Sequence, residues 1–335
     1  MPKKIKREKK VLINKIKRIA KIKKVAKKSA KIGLYDLIII GAGAAGLSAA
    51  LYAGRYRLNT LVIGKIVGGV SLEAHWVENY PGVLSATGIE LMEKFKEHAL
   101  KFGAKIVEEE IISIKKKEKV FLLMDHKKNL YECKTLIITT GMEKRKLGIP
   151  GEKEFLGKGV SYCGTCDGPL FKDKIVGVVG GSDAAGVEAL LLTEYAKKVY
   201  IIYRREQLRA EPVTFEQIKK NKKIEIIYKS NVTEIKGKQF VESVILDNGR
   251  ELKLDGLFIE IGGIPTSYLV KDIGVKLTED GHVIVDETQE TNVDYIFAAG
   301  DITNASNKFK QIITAASEGC LAALSAYKHV RQSGD

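Results

Sequence analysis

Two cysteines separated by two residues, Cys163 and Cys166, form the motif with the clearest chemical potential in this chain. Their spacing places both sulfur atoms within reach of a disulfide across one tight turn. A nearby helix start or cation would favour the reactive thiolate. The next residue, Asp167, could donate a proton to a departing thiolate. The motif therefore indicates thiol–disulfide chemistry.

Two other interpretations of this pair stay open. A zinc site needs four ligands, but Cys133 and Cys320 are isolated and the five histidines show no ligand spacing. Two reduced structural cysteines are the second alternative. Cys133 and Cys320 themselves, each in an apolar context, are predicted to be small core residues.

A glycine-rich turn follows the apolar residues 37–40 and precedes an alanine-rich segment. In this turn Gly41 permits a tight bend, Gly43 lets the backbone approach a pyrophosphate, and Gly46 lets helix and strand pack closely. The helix start would stabilise the phosphate charge. We predict a dinucleotide site, with a turn that binds nothing as the alternative. The acid expected at the end of the next strand is missing from residues 61–65, so the ribose contact must come from elsewhere.

A second turn of the same kind comes directly after the cysteine pair. Residues 180–185 follow the apolar residues 175–179, with Ser182 in place of the second glycine. The next strand ends in Arg204, Arg205 and Arg209, where an acid would favour a free 2′-hydroxyl and arginines favour a 2′-phosphate. The sequence therefore predicts NADPH in preference to NADH; a solvated basic loop is the alternative.

Strands and helices alternate along the rest of the chain. Strands are predicted at residues 34–40, 60–63, 106–114, 120–124, 135–140, 175–179, 199–203, 224–228, 243–246, 257–261, 282–285 and 295–299. Helices are predicted at residues 44–53, 88–103, 184–196 and 311–329. Residues 144–150 and 262–265 are interpreted as crossovers into and out of a second unit. The predicted fold class is α/β, with two Rossmann-like dinucleotide-binding domains and the second inserted into the first.

Composition places most of the charge at one end of the chain. The 335 residues are 45% hydrophobic and carry a net charge of +15. Residues 1–32 hold fifteen Lys and Arg and one Glu, so they account for +14 of it. No run of eighteen apolar residues and no signal-peptide core are present, so we expect a cytoplasmic protein with no transmembrane segment.

The basic segment, residues 1–33, is predicted to be a disordered arm. Its isoleucines recur every three residues, a step that drifts by about 60° on a helix and so forms no single apolar face. Contact with nucleic acid or an anionic membrane surface through residues 1–32 is one alternative. A wrongly assigned start codon is another.

Taken in order, the motifs closely resemble those of the thioredoxin reductases of the low-molecular-weight, FAD-dependent, prokaryotic type. The resemblance covers about residues 34–330. It rests on the two turns, the cysteine motif and the arginines already described, and on four further segments: Gly68-Gly69, residues 78–82, residues 298–301 and Gln311 with residues 314–316. Two positions depart from the family pattern, Val70 after Gly68-Gly69 and Ser182 in the second turn.

The resemblance implies which residues bind each cofactor. FAD would bind a domain built from residues 34–145 plus 266–335, and NADPH a domain built from residues 146–265. The FAD contacts would be Gly41, Gly43, Ala44, Ala45, Gly46, Gly69, Asn79, Gly141, Gly300, Asp301, Gln311 and Ile312. The NADPH contacts would be Gly180, Gly181, Ser182, Asp183, Ala184, Arg204, Arg205 and Arg209.

The resemblance also implies an electron relay. NADPH would reduce FAD, FAD would reduce the Cys163–Cys166 disulfide, and the dithiol would reduce a thioredoxin- or glutaredoxin-like protein. Cys166 would face the flavin, Cys163 would attack the partner disulfide, and Asp167 would be the acid. The family is homodimeric, and its inserted domain must rotate so that nicotinamide and then dithiol meet the flavin.

Three rival functions remain at this point. The same flavoprotein could take electrons from a deazaflavin or another donor. A redox-sensing flavoprotein could bind nucleic acid through the basic arm. A ferredoxin–NADP reductase of related fold is disfavoured, because that chemistry has no use for the cysteine pair.

Overall fold

The computed structural model describes residues 33–118 and 120–332. Residues 1–32 of the basic arm, for which the sequence predicts disorder, therefore lie outside the described residues. Seventeen strands lie in the described part: β1 Leu34–Ile40, β2 Thr60–Gly64, β3 Lys105–Glu108, β4 Ile111–Lys117, β5 Val120–Asp125, β6 Leu130–Ile138, β7 Met142–Lys144, β8 Val160–Ser161, β9 Ile175–Val179, β10 Lys198–Ile202, β11 Ile224–Ile227, β12 Val232–Gly237, β13 Val241–Leu246, β14 Glu251–Lys253, β15 Gly256–Ile259, β16 Gly263–Pro265 and β17 Ile296–Ala298.

The described helices are of two kinds. The α-helices are α1 Ala44–Arg55, α2 Gly88–Lys101, α3 Gly164–Asp167, α4 Asp183–Leu192, α5 Pro212–Lys220, α6 Tyr268–Lys271 and α7 Ile312–Gln332. Short 3₁₀ helices span Gly69–Glu73, Gly168–Phe171 and Ser306–Lys308. Within this part of the chain, none of the helices combines the length and the apolar content that a membrane span requires.

The first sheet has seven strands in the order β3-β2-β1-β6-β5-β4, with β17 also paired to β6. Strands β1, β2, β3, β6 and β17 run parallel, which puts their carboxyl ends at one edge. Alternate residues of β1 face opposite cores, as a strand buried on both sides requires. Leu37 and Ile39 pack with the alanines of α1 and α7, whereas Ile38 and Ile40 pack toward β4 and β5.

The second sheet is a parallel array in the order β11-β10-β9-β15-β8. A three-stranded antiparallel sheet, β12-β13-β14, lies beside it, and the antiparallel pair β7 and β16 connects the two main sheets. All five strands of the second sheet lie between β7 and β16 in the sequence. The chain then returns to the first sheet at β17.

The structure confirms most predicted elements to within a few residues and corrects two. Residues 106–114, predicted as a strand, belong to two strands that end and begin on either side of Glu109 and Glu110: β3 pairs parallel with β2, and β4 pairs antiparallel with β5. Residues 282–285, predicted as a strand, form no strand in the described part of the chain. Their backbone groups bond to several different segments: His282 accepts from Thr278, Val283 donates to Ile302, and Val285 donates to the side chain of Asn304. Because no single neighbour supplies a continuous ladder, alternation alone was misleading here.

Three of the described α-helices escaped prediction: the four-residue α3 and α6, and the longer α5. α5, Pro212–Lys220, carries proline in its first turn and buries Thr214 and Ile218, which lie four residues apart on one face. Proline at a helix start followed by apolar residues at this spacing is a usable signal. The polar composition of the segment concealed it.

Candidate active site between the two dinucleotide turns

A cavity of about 840 Å³ opens at the carboxyl edge of the first sheet, a size typical of small-molecule and cofactor sites. The first turn, the loop after β2 and the start of α7 line one part of it. Cys163 and Thr165 of the cysteine loop line another part, together with Asp183, Ala184 and Glu188 of α4. The cavity therefore brings both glycine-rich turns and the cysteine motif together.

The first turn has the close contacts that its glycines were expected to permit. Gly41 has a φ of +113°, and a Cβ there would lie 2.2 Å from the carbonyl oxygen of Thr139. A Cβ at Gly46 would lie 2.0 Å from the carbonyl oxygen of Gly41. At Gly43 the nearest described atom would be the Cα of Gly69, at 3.9 Å. Only Gly43 leaves space, on the side where the amide groups that begin α1 face the cavity.

That free space fits a pyrophosphate. A helix start offers backbone N–H donors and a partial positive charge to an anion. Ala44 and Ala45, the first residues of α1, line the cavity together with Gly69 and Gly141. The residues present therefore fit the diphosphate of FAD.

The ribose contact missing from β2 has a structural candidate that sequence reasoning overlooked. β3 runs parallel beside β2, with Gly64 opposite Glu108, so the next residues, Glu109 and Glu110, reach the same edge and line the cavity. Glu110 pairs with Lys65 at 3.3 Å. Strand order was the signal that could have identified these acids. Because β3 lies parallel to β2, acids that follow β3 reach the same edge of the sheet, where β2 ends without an acid.

The opposite part of the cavity is built from the loop after β17 and the start of α7. Asn79 donates to the side-chain oxygen of Gln311 at 3.1 Å, and Ile312 begins α7. The buried carboxylate of Glu318 accepts from the amide of Gly300 at 2.7 Å and so fixes this loop. Burial raises the pKa of Asp301, although the nearby Lys310 opposes the shift.

The second turn begins with a tight bend like that of the first, and the ring of Tyr203 covers its second residue, Gly181. Gly180 has a φ of +155°, and a Cβ there would lie 2.2 Å from the carbonyl oxygen of Glu260. A Cβ at Gly181 would lie 2.4 Å from the ring of Tyr203. Ser182 precedes α4, and Asp183 accepts from the amide of Glu211 at 2.8 Å.

The three arginines lie beside this turn. The amide of Arg209 donates to the carbonyl of Gly181 at 2.7 Å, which holds the loop after β10 against the turn. Arg204, Arg205 and Arg209 are all exposed, and Arg209 Nε donates to Tyr203 Oη at 3.1 Å. Exposed guanidinium groups next to a nucleotide turn suit a phosphate on the ribose.

Cys163 and Cys166 form a disulfide, with their Cα atoms 5.3 Å apart. Cys163 is half-buried and lines the cavity, whereas Cys166 is exposed. Ser161 Oγ accepts from the amide of Cys163 at 3.0 Å and donates to the carboxylate of Asp167 at 2.6 Å. The acid is therefore fixed beside the pair. In this arrangement Cys163 is the member nearer the cavity, so the assignment of Cys166 to the flavin stays a prediction.

The other two cysteines differ from this pair. Cys133 is fully buried, and burial raises the pKa of its thiol. Cys320 is partly buried, and burial raises the pKa of its thiol to about 11. Neither group supplies a thiolate near neutral pH, in agreement with the packing role predicted for them.

Known proteins are similar to this chain in both sequence and fold. Residues 35–319 match the pyridine nucleotide-disulphide oxidoreductase family. The thioredoxin reductase of Treponema pallidum is 44% identical over 303 residues, covering 88% of this chain and 97% of that protein.

Two solved thioredoxin reductases superpose closely. The enzyme of Lactococcus lactis, in its FR conformation, gives a TM-score of 0.85 at 36% identity, covering 89% of this chain and 99% of its own. The enzyme of T. acidophilum gives 0.84 at 42% identity, covering 88% of this chain and 98% of its own. This chain therefore belongs to the thioredoxin reductases, the FAD- and NADPH-dependent disulfide reductases within the pyridine nucleotide-disulphide oxidoreductase family.

Proposed function

We propose that electrons from NADPH reach the Cys163–Cys166 disulfide through this cavity and leave as a dithiol that reduces a thioredoxin. One observation carries the proposal: residues of both nucleotide turns and Cys163 line one cavity. FAD, when bound, supplies the hydride-accepting and electron-transferring chemistry that amino acid side chains lack.

We infer that residues 34–145 plus 266–335 form the FAD domain and residues 146–265 the NADPH domain. The sheet membership of the strands supports this division, because every strand from β8 to β15 lies outside the first sheet. In the FAD domain the amides at the start of α1 would hold the diphosphate. Asp301 and Gln311, with the first residues of α7, would face the other end of the cofactor.

In the NADPH domain, Gly180, Gly181, Ser182, Asp183 and Ala184 would hold the nucleotide diphosphate. Arg204, Arg205 and Arg209 would bind the 2′-phosphate through charge-assisted bonds. Their exposure beside the second turn supports this role, since exposed guanidinium groups in that place can reach a bound nucleotide.

For the thiols, we propose that the Cys163 thiolate attacks the partner's disulfide and forms a mixed disulfide with it. The Cys166 thiol then attacks Cys163, re-forms the internal disulfide and releases the partner as a dithiol. The enzyme pair loses two electrons and two protons, and the partner gains both. Asp167, fixed through Ser161, would give or take the proton at the departing sulfur.

Further features of the sequence support finer proposals. A glutaredoxin-like protein is a second partner class, because its disulfide offers the same chemistry. We infer a homodimer, and exposed apolar side chains such as Leu84 and Ile89 suit a subunit interface.

A cytoplasmic location suits a chain with two free thiols. The basic arm, residues 1–32, would serve contact with nucleic acid or an anionic surface and no part of the electron relay.

Rapid mixing of the anaerobic holoprotein with NADPH tests the proposed function. The flavin absorbance should bleach within the time of one turnover and return on addition of oxidised thioredoxin. A chain lacking residues 1–32 should behave in the same way. Failure to bleach with NADPH, together with bleaching by a reduced deazaflavin, would replace the donor. Loss of a salt-sensitive affinity for DNA on removal of the arm would favour the nucleic-acid-binding sensor.

A further inference from the structure

A closed ring of contacts joins the cysteine loop to three other segments. Thr165 Oγ1 donates to the carbonyl of Glu73 at 2.6 Å, and the carboxylate of Glu73 pairs with Lys144 at 3.2 Å. Lys144 is also hydrogen-bonded to Glu260. Glu188 lines the same cavity as Glu260 and Lys144, its charge interacts with both, and its side chain lies against the cysteine loop, which completes the ring.

Glu188 packs directly on Gly164, the first of the two residues between the cysteines. A Cβ at Gly164 would lie 2.8 Å from Cγ and 3.2 Å from Oε1 of Glu188. Gly164 is buried at the first position of α3. The absence of a side chain at position 164 is therefore what lets the carboxyl of Glu188 lie against the loop.

The carboxyls of Glu188 and Glu260 can form a hydrogen bond only if one of them carries a proton. Oε1 of Glu188 is buried and finds no donor among residues 33–118 and 120–332. Glu260 is 7% exposed and already accepts from Lys144. Two adjacent buried carboxylates repel each other, so one proton shared between them is the stable state.

The surrounding charges agree with a single proton. Burial raises the pKa of Glu188 well above its ordinary value, the charge of Glu260 adds to the shift, and Lys144 opposes it. Burial lowers the pKa of Lys144, but the charge and hydrogen bond of Glu260, together with the charges of Glu73 and Glu188, outweigh burial and raise it. Glu73 is the remaining carboxylate of the ring. Cys163 and Cys166 add titratable thiols only after their disulfide is reduced.

We propose that Glu188 and Glu260 share one proton and act as positioning residues that hold the Cys163–Cys166 loop in the cavity. This proposal rests on the proposed disulfide reductase function and explains how the cysteine loop is held in place for it. Loss of the proton places a second negative charge beside Glu260, which pushes Glu188 away from Gly164. The loop is then held by the Thr165–Glu73 bond without its carboxyl support.

The sign of the pH dependence follows from the raised pKa of Glu188. The folded protein keeps this proton at pH values where an unfolded chain has lost it, above about 4.3 for Glu. The contribution of the pair to stability is complete below that pH and falls as the pH rises through the raised pKa. Glu188→Gln removes this dependence, because its amide donates to Glu260 at every pH.

Infrared spectroscopy of the oxidised protein tests the shared proton directly. The holoprotein should show the stretch of a protonated carboxyl at neutral pH, and Glu188→Gln should lose it. The matched control is Glu194→Gln, which removes an exposed carboxylate that lies 3.7 Å from His75, and it should keep the band. Absence of the band from the unsubstituted protein would overturn the proposal, whether or not the protein reduces thioredoxin.

Turnover with thioredoxin tests the positioning role. Glu188→Ala should reduce kcat at least tenfold, Glu188→Gln should restore it to within threefold at pH 7, and the alkaline decrease in kcat should become shallower in Glu188→Gln. NADPH should still bleach the flavin absorbance in the unsubstituted protein and in both variants. A failure of the donor step is therefore distinguishable from a failure to position the cysteine loop. Equal activity of the Ala and Gln variants, at either a low or an unchanged level, would contradict a role for the shared proton.

Discussion

Cys163→Ser is expected to reduce thioredoxin turnover to background while NADPH still bleaches the flavin absorbance. A serine hydroxyl is a far weaker nucleophile than a thiolate near neutral pH, so no mixed disulfide with the partner can form. The dinucleotide-binding turns do not use this sulfur. Stopped-flow absorbance and a thioredoxin turnover assay, run on the same preparation, separate the two steps.

Cys320→Ser provides the control, because this partly buried thiol lies outside the pair and its raised pKa keeps it unreactive. It should leave both steps unchanged. Continued thioredoxin reduction by Cys163→Ser would refute the proposed division of labour. Cys166→Ser should also lose turnover, because it cannot re-form the disulfide, but it should form a mixed disulfide with the partner through Cys163, and Cys163→Ser should not.

The double substitution Arg204→Ala with Arg205→Ala should raise the KM for NADPH by about 10- to 100-fold. A hydrogen bond to a charged group contributes about 1.5–3 kcal/mol, and each 1.4 kcal/mol corresponds to tenfold in affinity. NADH lacks the 2′-phosphate, so its KM should change by less than threefold. Steady-state kinetics with both nucleotides measures the effect.

A matched control is Arg250→Ala, which removes an exposed arginine from the turn between β13 and β14 in the same part of the chain. Its KM values for both nucleotides should stay unchanged. Equal increases for NADPH and NADH in the double variant would mean that these arginines do not recognise the 2′-phosphate. The donor preference would then depend on other residues.

Features of local sequence were predictable, since their physical cause lies within a few residues. The glycines at 41 and 46 are needed because a Cβ would lie 2.2 Å and 2.0 Å from a backbone oxygen, far inside van der Waals contact. The capping box of α2 is another local feature: Thr87 and Glu90 each accept a backbone hydrogen bond from the other. Such patterns can be read without knowing the fold.

Features that depend on strand order could not be read in this way. Glu110 reaches the end of β2 only because β3 pairs beside it. Glu188 and Glu260 are 72 positions apart, and their contact depends on how α4 and the end of β15 meet near Lys144. Residues 282–285 alternate like a strand, but their partners come from different segments. Tertiary context decided each of these cases.

The redox state of residues 163 and 166 during turnover tests the central claim most directly. The holoprotein should be reduced anaerobically with NADPH, alkylated and mapped by mass spectrometry, before and after addition of oxidised thioredoxin. We predict that alkylation at Cys163 and Cys166 appears with NADPH and disappears with thioredoxin, while Cys133 and Cys320 keep the same state throughout. A Cys163–Cys166 disulfide that stays closed while thioredoxin is being reduced would contradict the account.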